Sequence, residues 1–260
     1  MNSPYTIILG AEGELGRALG REVARKGCNL ILVSTTSIDL QRFAIGLQLK
    51  HDIQVNAIKL DLSNQNEIHA FVKNTKDQYE VRALINNITC DWSRGENKCI
   101  SELSKDDFQT CFRGAALLTW SLLPQIKSLS SSFIQHIIPF PFRKEQFSSD
   151  LQQAVAKMYA FTRELEEDLK HSGVSVSMVH PAPIKSIVQQ MENIGRIFEE
   201  DVQTLEPALI ARKAINGMLK GDRLIIPGLR NRMLFYMNRH ATSWFTAVED
   251  SFDSGLQPSM

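Results

Sequence analysis

Short runs rich in Ile, Leu and Val alternate with longer segments of helical period from residue 5 to about residue 185. The runs fall at 6–9, 29–34, 54–60, 82–86, 132–138, 174–180 and 223–226, and their alternation with helices is the signature of a parallel sheet covered on both faces. Strands spaced by helix-length segments cannot pair as hairpins, so each must reach a parallel neighbour by a right-handed crossover. The chain is therefore predicted to be α/β, a doubly wound parallel sheet of about seven strands with helices on both faces, forming a single domain. No repeat or long linker interrupts the pattern; Ser128-Leu129-Ser130-Ser131-Ser132 reads as a turn. The domain is expected to span 1–228, with 229–260 a C-terminal tail that is first helical and then disordered.

Two middle helices carry more apolar surface than one sheet face can cover. From Phe108 to Leu123 one stripe runs Phe108, Cys111, Phe112, Ala115, Leu118 and Leu122, while Ala116, Trp120 and Leu123 line another side. This helix is expected to be buried nearly all round. From Leu151 to Leu169 an inward stripe includes Leu151, Val155, Met158 and Leu165, with a second face of Ala156, Tyr159, Ala160 and Arg163. Both helices are predicted to pack on the sheet and on a partner at once.

The turn after the first strand reads Gly10-Ala11-Glu12-Gly13-Glu14-Leu15-Gly16-Arg17-Ala18 and opens a helix. Glycines there permit unusual dihedrals and close backbone approach to a pyrophosphate, whose charge would rest on the helix N-terminus. Asp61-Leu62-Ser63 ends the third strand and Asn86-Asn87 the fourth.

Composition narrows the partners. Lys plus Arg number 29 and Asp plus Glu 29, so a general nucleic-acid binder is not expected. No apolar run approaches the ~20 residues of a spanning helix, and Met1-Asn2-Ser3-Pro4-Tyr5 lacks the basic region of a signal peptide, which predicts a cytoplasmic protein. Cys28, Cys90, Cys99 and Cys111 form no Cys-x-x-Cys pair and no zinc spacing, so neither a disulfide framework nor a metal is expected. The segment from Arg230 to His240, with Trp244 and Phe245 beyond it, is basic and apolar. It is read as covering the pocket or a neighbouring subunit, without membrane contact.

In the order and spacing of these segments, residues 5–230 resemble the short-chain dehydrogenase/reductase family. Gly10, Gly13 and Gly16 fit its Gly-x-x-Gly-x-x-Gly turn, Asp61 falls where its aspartate meets adenine, and Asn86-Asn87 matches the start of Asn-Asn-Ala-Gly. Pro181 to Ser186 stands for Pro-Gly-x-x-x-Thr, and Leu224 to Gly228 for the seventh strand and its exit. The resemblance implies a Rossmann-like fold, NAD(P) held at Gly10, Gly13, Gly16, Asp61 and Asn86, and carbonyl/alcohol redox chemistry with a Tyr proton donor, a Lys, a Ser and an Asn.

Those four catalytic positions are vacated. The Asn position falls on Cys111, the Ser on Ile138 or Pro139, the Tyr on Leu151 and the Lys on Val155, the last two set by the flanking Thr162-Arg163-Glu164-Leu165. Tyr159 and Arg163 have the right mutual spacing, but accepting them slides the helix by eight residues, about 12 Å. Cys111, His136 and His180 border the same region, where a thiol/imidazole pair competes with ordinary core packing. Glu12 and Glu14 put carboxylates at the pyrophosphate position, and Ser34-Thr35-Thr36 supplies neither the acid nor the Arg that selects a ribose. Ile88-Thr89 replaces the small pair beside the cofactor ribose.

The expected function is a degenerate reductase, a non-catalytic subunit or scaffold with no or weak NAD(P). It would act as a homodimer or as a heteromer with an active relative, paired through helices 108–123 and 151–169. An atypical NAD(P)-dependent oxidoreductase and a nucleotide- or small-molecule-sensing module are the alternatives.

Overall fold

The computed structural model describes residues 3–34, 40–87, 105–138, 149–181 and 203–239. Seven strands, β1 (Tyr5–Leu9), β2 (Asn29–Ser34), β3 (Val55–Lys59), β4 (Val81–Asn87), β5 (Ser132–Ile137), β6 (Val174–Val179) and β7 (Leu224–Ile225), form one sheet in the order β3-β2-β1-β4-β5-β6-β7. Every pairing is parallel. All residues of β1 and β2 are buried, whereas the edge strand β3 buries only Val55, which matches its more polar sequence. The expected strand at 223–226 shortens to two residues at the other edge.

Helices α1 (Glu14–Arg25), α2 (Leu40–His51) and α6 (Pro207–Lys220) cover one face of the sheet. On the other lie α3 (Gln65–Gln78), α4 (Lys105–Lys127) and α5 (Ser149–Leu169). α7 (Leu229–Arg239) follows β7 and closes the end of the second layer through Phe235. Local chemistry sets the boundaries: the Asn64 side chain accepts from the backbone N–H of Asn66 and Glu67 to cap α3, and Gly221 ends α6 in the left-handed region at φ 76°.

The chain leaves β1 toward β2 and β3, then returns past β1 to build β4 to β7 on the other side. Strand order therefore reverses between β1 and β4. The carboxyl ends of these two strands frame the crevice in which doubly wound folds place their ligands.

Within one chain the sheet covers only part of α4. α4 is not enclosed all round, because Trp120 remains 49% exposed and Ala116 and Leu117 are half-buried, while Ala115, Leu118 and Leu122 face the core.

Candidate functional site

The glycine turn sits at the carboxyl end of β1 and is held by its own backbone. Gly10 has φ 64°, and a Cβ there would collide with the Asn87 carbonyl. A Cβ at Gly16 would strike the Gly10 carbonyl and the Ala11 backbone, so α1 starts pressed onto the turn that precedes it. The Asn87 amide donates to the Gly10 carbonyl at 2.9 Å, the Ala11 N–H to the Val33 carbonyl at 3.1 Å, and Arg17 Nε to the Glu12 carbonyl at 2.9 Å. The Arg17 guanidinium also lies 5.3 Å from the centre of the Phe43 ring, and that of Arg21 5.2 Å. The turn is thus stitched to β2, β4 and α2 with no ligand required.

Does this turn fit a dinucleotide? Gly13 is the N-cap of α1 and has no side chain to cap it, which leaves the helix N-terminus as a site for an anion. Charge opposes one: Glu12 is half-buried in the turn with its Oε2 out of reach of solvent, and Glu14 occupies the first helical position. The backbone of the turn is shaped to approach a pyrophosphate, and two carboxylates stand beside it.

Asp61, at the exit of β3, is exposed. Its Oδ1 accepts from the Ser63 hydroxyl at 2.7 Å and the Ser63 N–H at 2.8 Å, and these two bonds hold its carboxyl below the usual carboxylate range. Gly114 on α4 packs against the next residue, since a Cβ there would collide with the Leu62 carbonyl and Cβ.

Asn86 and Asn87 part company. Asn86, 1% exposed, turns to α4 and donates from Nδ2 to Thr119 Oγ1 at 2.9 Å; its neighbour Asn87 is the residue that bonds the glycine turn. The Asn86 side chain thereby seats α4 against β4.

Val155, at the position expected to carry a Lys, is 1% exposed and belongs to the core cluster of the α3–α5 layer. The side chains of Cys111 and Leu151, and the whole of Pro139, Ile88 and Thr89, lie outside the described residues. In the shifted pair, Arg163 Nη1 donates to Glu166 Oε2 at 3.1 Å, and the Tyr159 ring stacks on His180 at 6.3 Å and 3°.

Both candidate histidines are core residues. His136 Nδ1 bonds Thr162 Oγ1 at 2.7 Å; because that hydroxyl gives its proton to the Met158 carbonyl, the ring nitrogen is the donor. Phe161 stacks on His136 at 5.6 Å. His180 Nδ1 donates to the Ile138 carbonyl at 3.0 Å, and Phe235 of α7 stacks on it at 5.4 Å. Burial lowers both rings from 6.5 to about 4, slightly opposed at His180 by the Ile138 carbonyl. They are neutral rings, not bases tuned to neutral pH.

Residues 5–138 match the family described as short chain dehydrogenase. None of the curated proteins matches the chain. Among solved structures, the bulky-bulky ketone specific alcohol dehydrogenase from Comamonas testosteroni superposes with TM-score 0.73 at 18% identity, over 100% of this chain and 97% of that one. A short-chain dehydrogenase from Sphingobium yanoikuyae in complex with NADPH gives 0.73 at 19% identity, over 99% and 98%. The L-sorbose reductase from Gluconobacter frateurii, complexed with NADPH and L-sorbose, gives 0.71 at 15% identity, over 86% and 95%.

Proposed function

The chain belongs to the short-chain dehydrogenase family, and from that premise we propose that it has lost the reductase reaction and serves as a non-catalytic subunit of an assembly built on α4 and α5. Val155 is the observation that carries the reading. An ammonium at this position would clamp the cofactor ribose and lower the pKa of the tyrosine one turn earlier, and an enclosed isopropyl group does neither. Leu151, at the tyrosine position, has no proton to give. Losing such a general acid removes a factor of about 10² to 10⁴ in rate.

NAD(P) binding at Gly10, Gly13, Gly16, Asp61 and Asn86 is proposed to be weak or absent, because Glu12 and Glu14 bring negative charge to the pyrophosphate position. The open sides of α4 and α5 supply the surface for a second copy or an intact relative. Trp120 stands 6.3 Å from Phe161 and Phe112 6.2 Å from the same ring, an aromatic group that a facing helix pair would cover. The intact turn geometry and the ionised Asp61 favour a second reading, a sensor that binds a nucleotide without turning it over. Titration with NADH, NADPH and AMP separates them. Binding weaker than about 100 μM for all three supports the subunit reading, and micromolar AMP binding without ketone turnover supports the sensor.

A further inference from the structure

α7 carries apolar side chains on two opposite faces. The inward face is fixed: Phe235 is buried against His180, and Asn231, wholly buried, accepts from the Gln203 N–H at 2.8 Å and donates to the Gln203 carbonyl at 2.8 Å. The outward face carries Leu229, Met233, Tyr236 and Met237, which are 74%, 58%, 52% and 64% exposed. Their spacing confines them to a sector of about 100° of the helix circumference, turned away from Asn231 and Phe235. Arg230 and Arg232, both exposed, stand on its two edges. The helix contains no acidic residue. A cleft of about 440 Å³ lined by Gln203, Leu229, Arg230 and Met233 adjoins the N-terminal end of this face.

An apolar sector bordered on both sides by cations suits a surface that is hydrocarbon below and anionic phosphate at its rim. A second copy of the same helix is a poorer occupant, because two-fold pairing sets arginine against arginine and α7 itself carries no acid. The neutral overall charge does not oppose a lipid surface, since attraction acts within about 8 Å at physiological salt and this cluster is local. Against the reading of this segment from sequence, which gave it no membrane contact, we propose that α7 docks the protein peripherally on an anionic phospholipid surface. Leu229, Met233, Tyr236 and Met237 enter the acyl boundary, and Arg230 and Arg232 meet lipid phosphates. This stands apart from the catalytic reading and survives its failure. Among the described residues no helix is long and apolar enough to cross the membrane, so the association lies in the interface.

Flotation of the full chain with phosphatidylcholine vesicles, with and without phosphatidylserine, tests it at low salt. The wild type should float with the anionic vesicles alone. Arg232→Gln should weaken partitioning about fivefold, and Met233→Glu with Met237→Glu by more than about tenfold. These positions are exposed, so an unchanged thermal midpoint shows that the variants fold. Leu49→Glu, 84% exposed on α2, should bind as wild type. Equal flotation with neutral vesicles, wild-type flotation of the double glutamate variant, or an equal loss in Leu49→Glu overturns the proposal. So does a chain that never floats but falls from dimer to monomer in the double variant, which would assign the face to a second copy.

Discussion

Acidification should destabilise this protein through two particular rings. His136 and His180 are both enclosed and held near 4, against 6.5 for a solvated imidazole. Between those values the unfolded chain binds protons that the folded chain refuses, so stability is full above 6.5 and falls as pH drops toward 4. From pH 7 to about pH 5 the loss works out at about 2 kcal/mol per ring, or about 4 kcal/mol for the pair. That is a large part of the 5–15 kcal/mol typical of a domain, roughly. Urea unfolding followed by circular dichroism at both pH values measures it. His136→Asn with His180→Asn keeps a polar side chain at each position and cannot titrate, so the difference in pH slope between wild type and double variant isolates the rings from every carboxylate. A double variant weaker at both pH values, with a slope shallower by about 4 kcal/mol, is the expected result. Equal slopes would refute the argument, because they would mean that the folded rings titrate as freely as the unfolded ones.

Other measurements bear on the remaining claims. Gly16→Ala should cost more than about 3 kcal/mol, because the added carbon meets backbone that cannot move aside; a midpoint within a degree of wild type would contradict the closeness of the turn. Glu12→Gln with Glu14→Gln should tighten NADPH binding by about tenfold or more if the two carboxylates are what repels it, and no change in calorimetry would place the obstacle elsewhere. Trp120→Glu should dissociate an α4/α5 assembly in sedimentation, where a stable pairing is expected to bury about 1,600 Å²; an unchanged mass would remove these helices as the interface. Ketone reduction should stay at background in the wild type, and turnover abolished by Tyr159→Phe would restore the shifted helix register.

The sheet was readable because β1, β2, β4, β5 and β6 are largely buried and rich in Ile, Leu and Val, while β7, a two-residue edge strand, was nearly below the limit of such reading. Val155 was legible from its distance to Thr162 along one helix. The roles of Asn86 and Asn87 were not, since neighbouring strand residues leave on opposite faces and identical side chains carry no mark of which face each takes. The exposure of Trp120 escaped for a related reason: apolar periodicity locates a stripe but does not say whether the same chain covers it. The double-faced packing of α7 was hidden in the same way, and the clamp of Asn231 on Gln203 spans 28 residues that no local pattern connects.

The contact of Gly114 with Leu62 makes a lever of α4. With no side chain between them, helix and corner cannot slide independently, so a displacement of Asp61 passes to the outer surface that carries Trp120. If a nucleotide were to occupy that corner and a subunit to seat on α4, the two equilibria would be linked: whatever factor the nucleotide applied to subunit affinity, the subunit would apply to nucleotide affinity in return. A partner without chemistry of its own could in this way set how firmly its crevice holds a ligand, using one missing methyl group as the transmission.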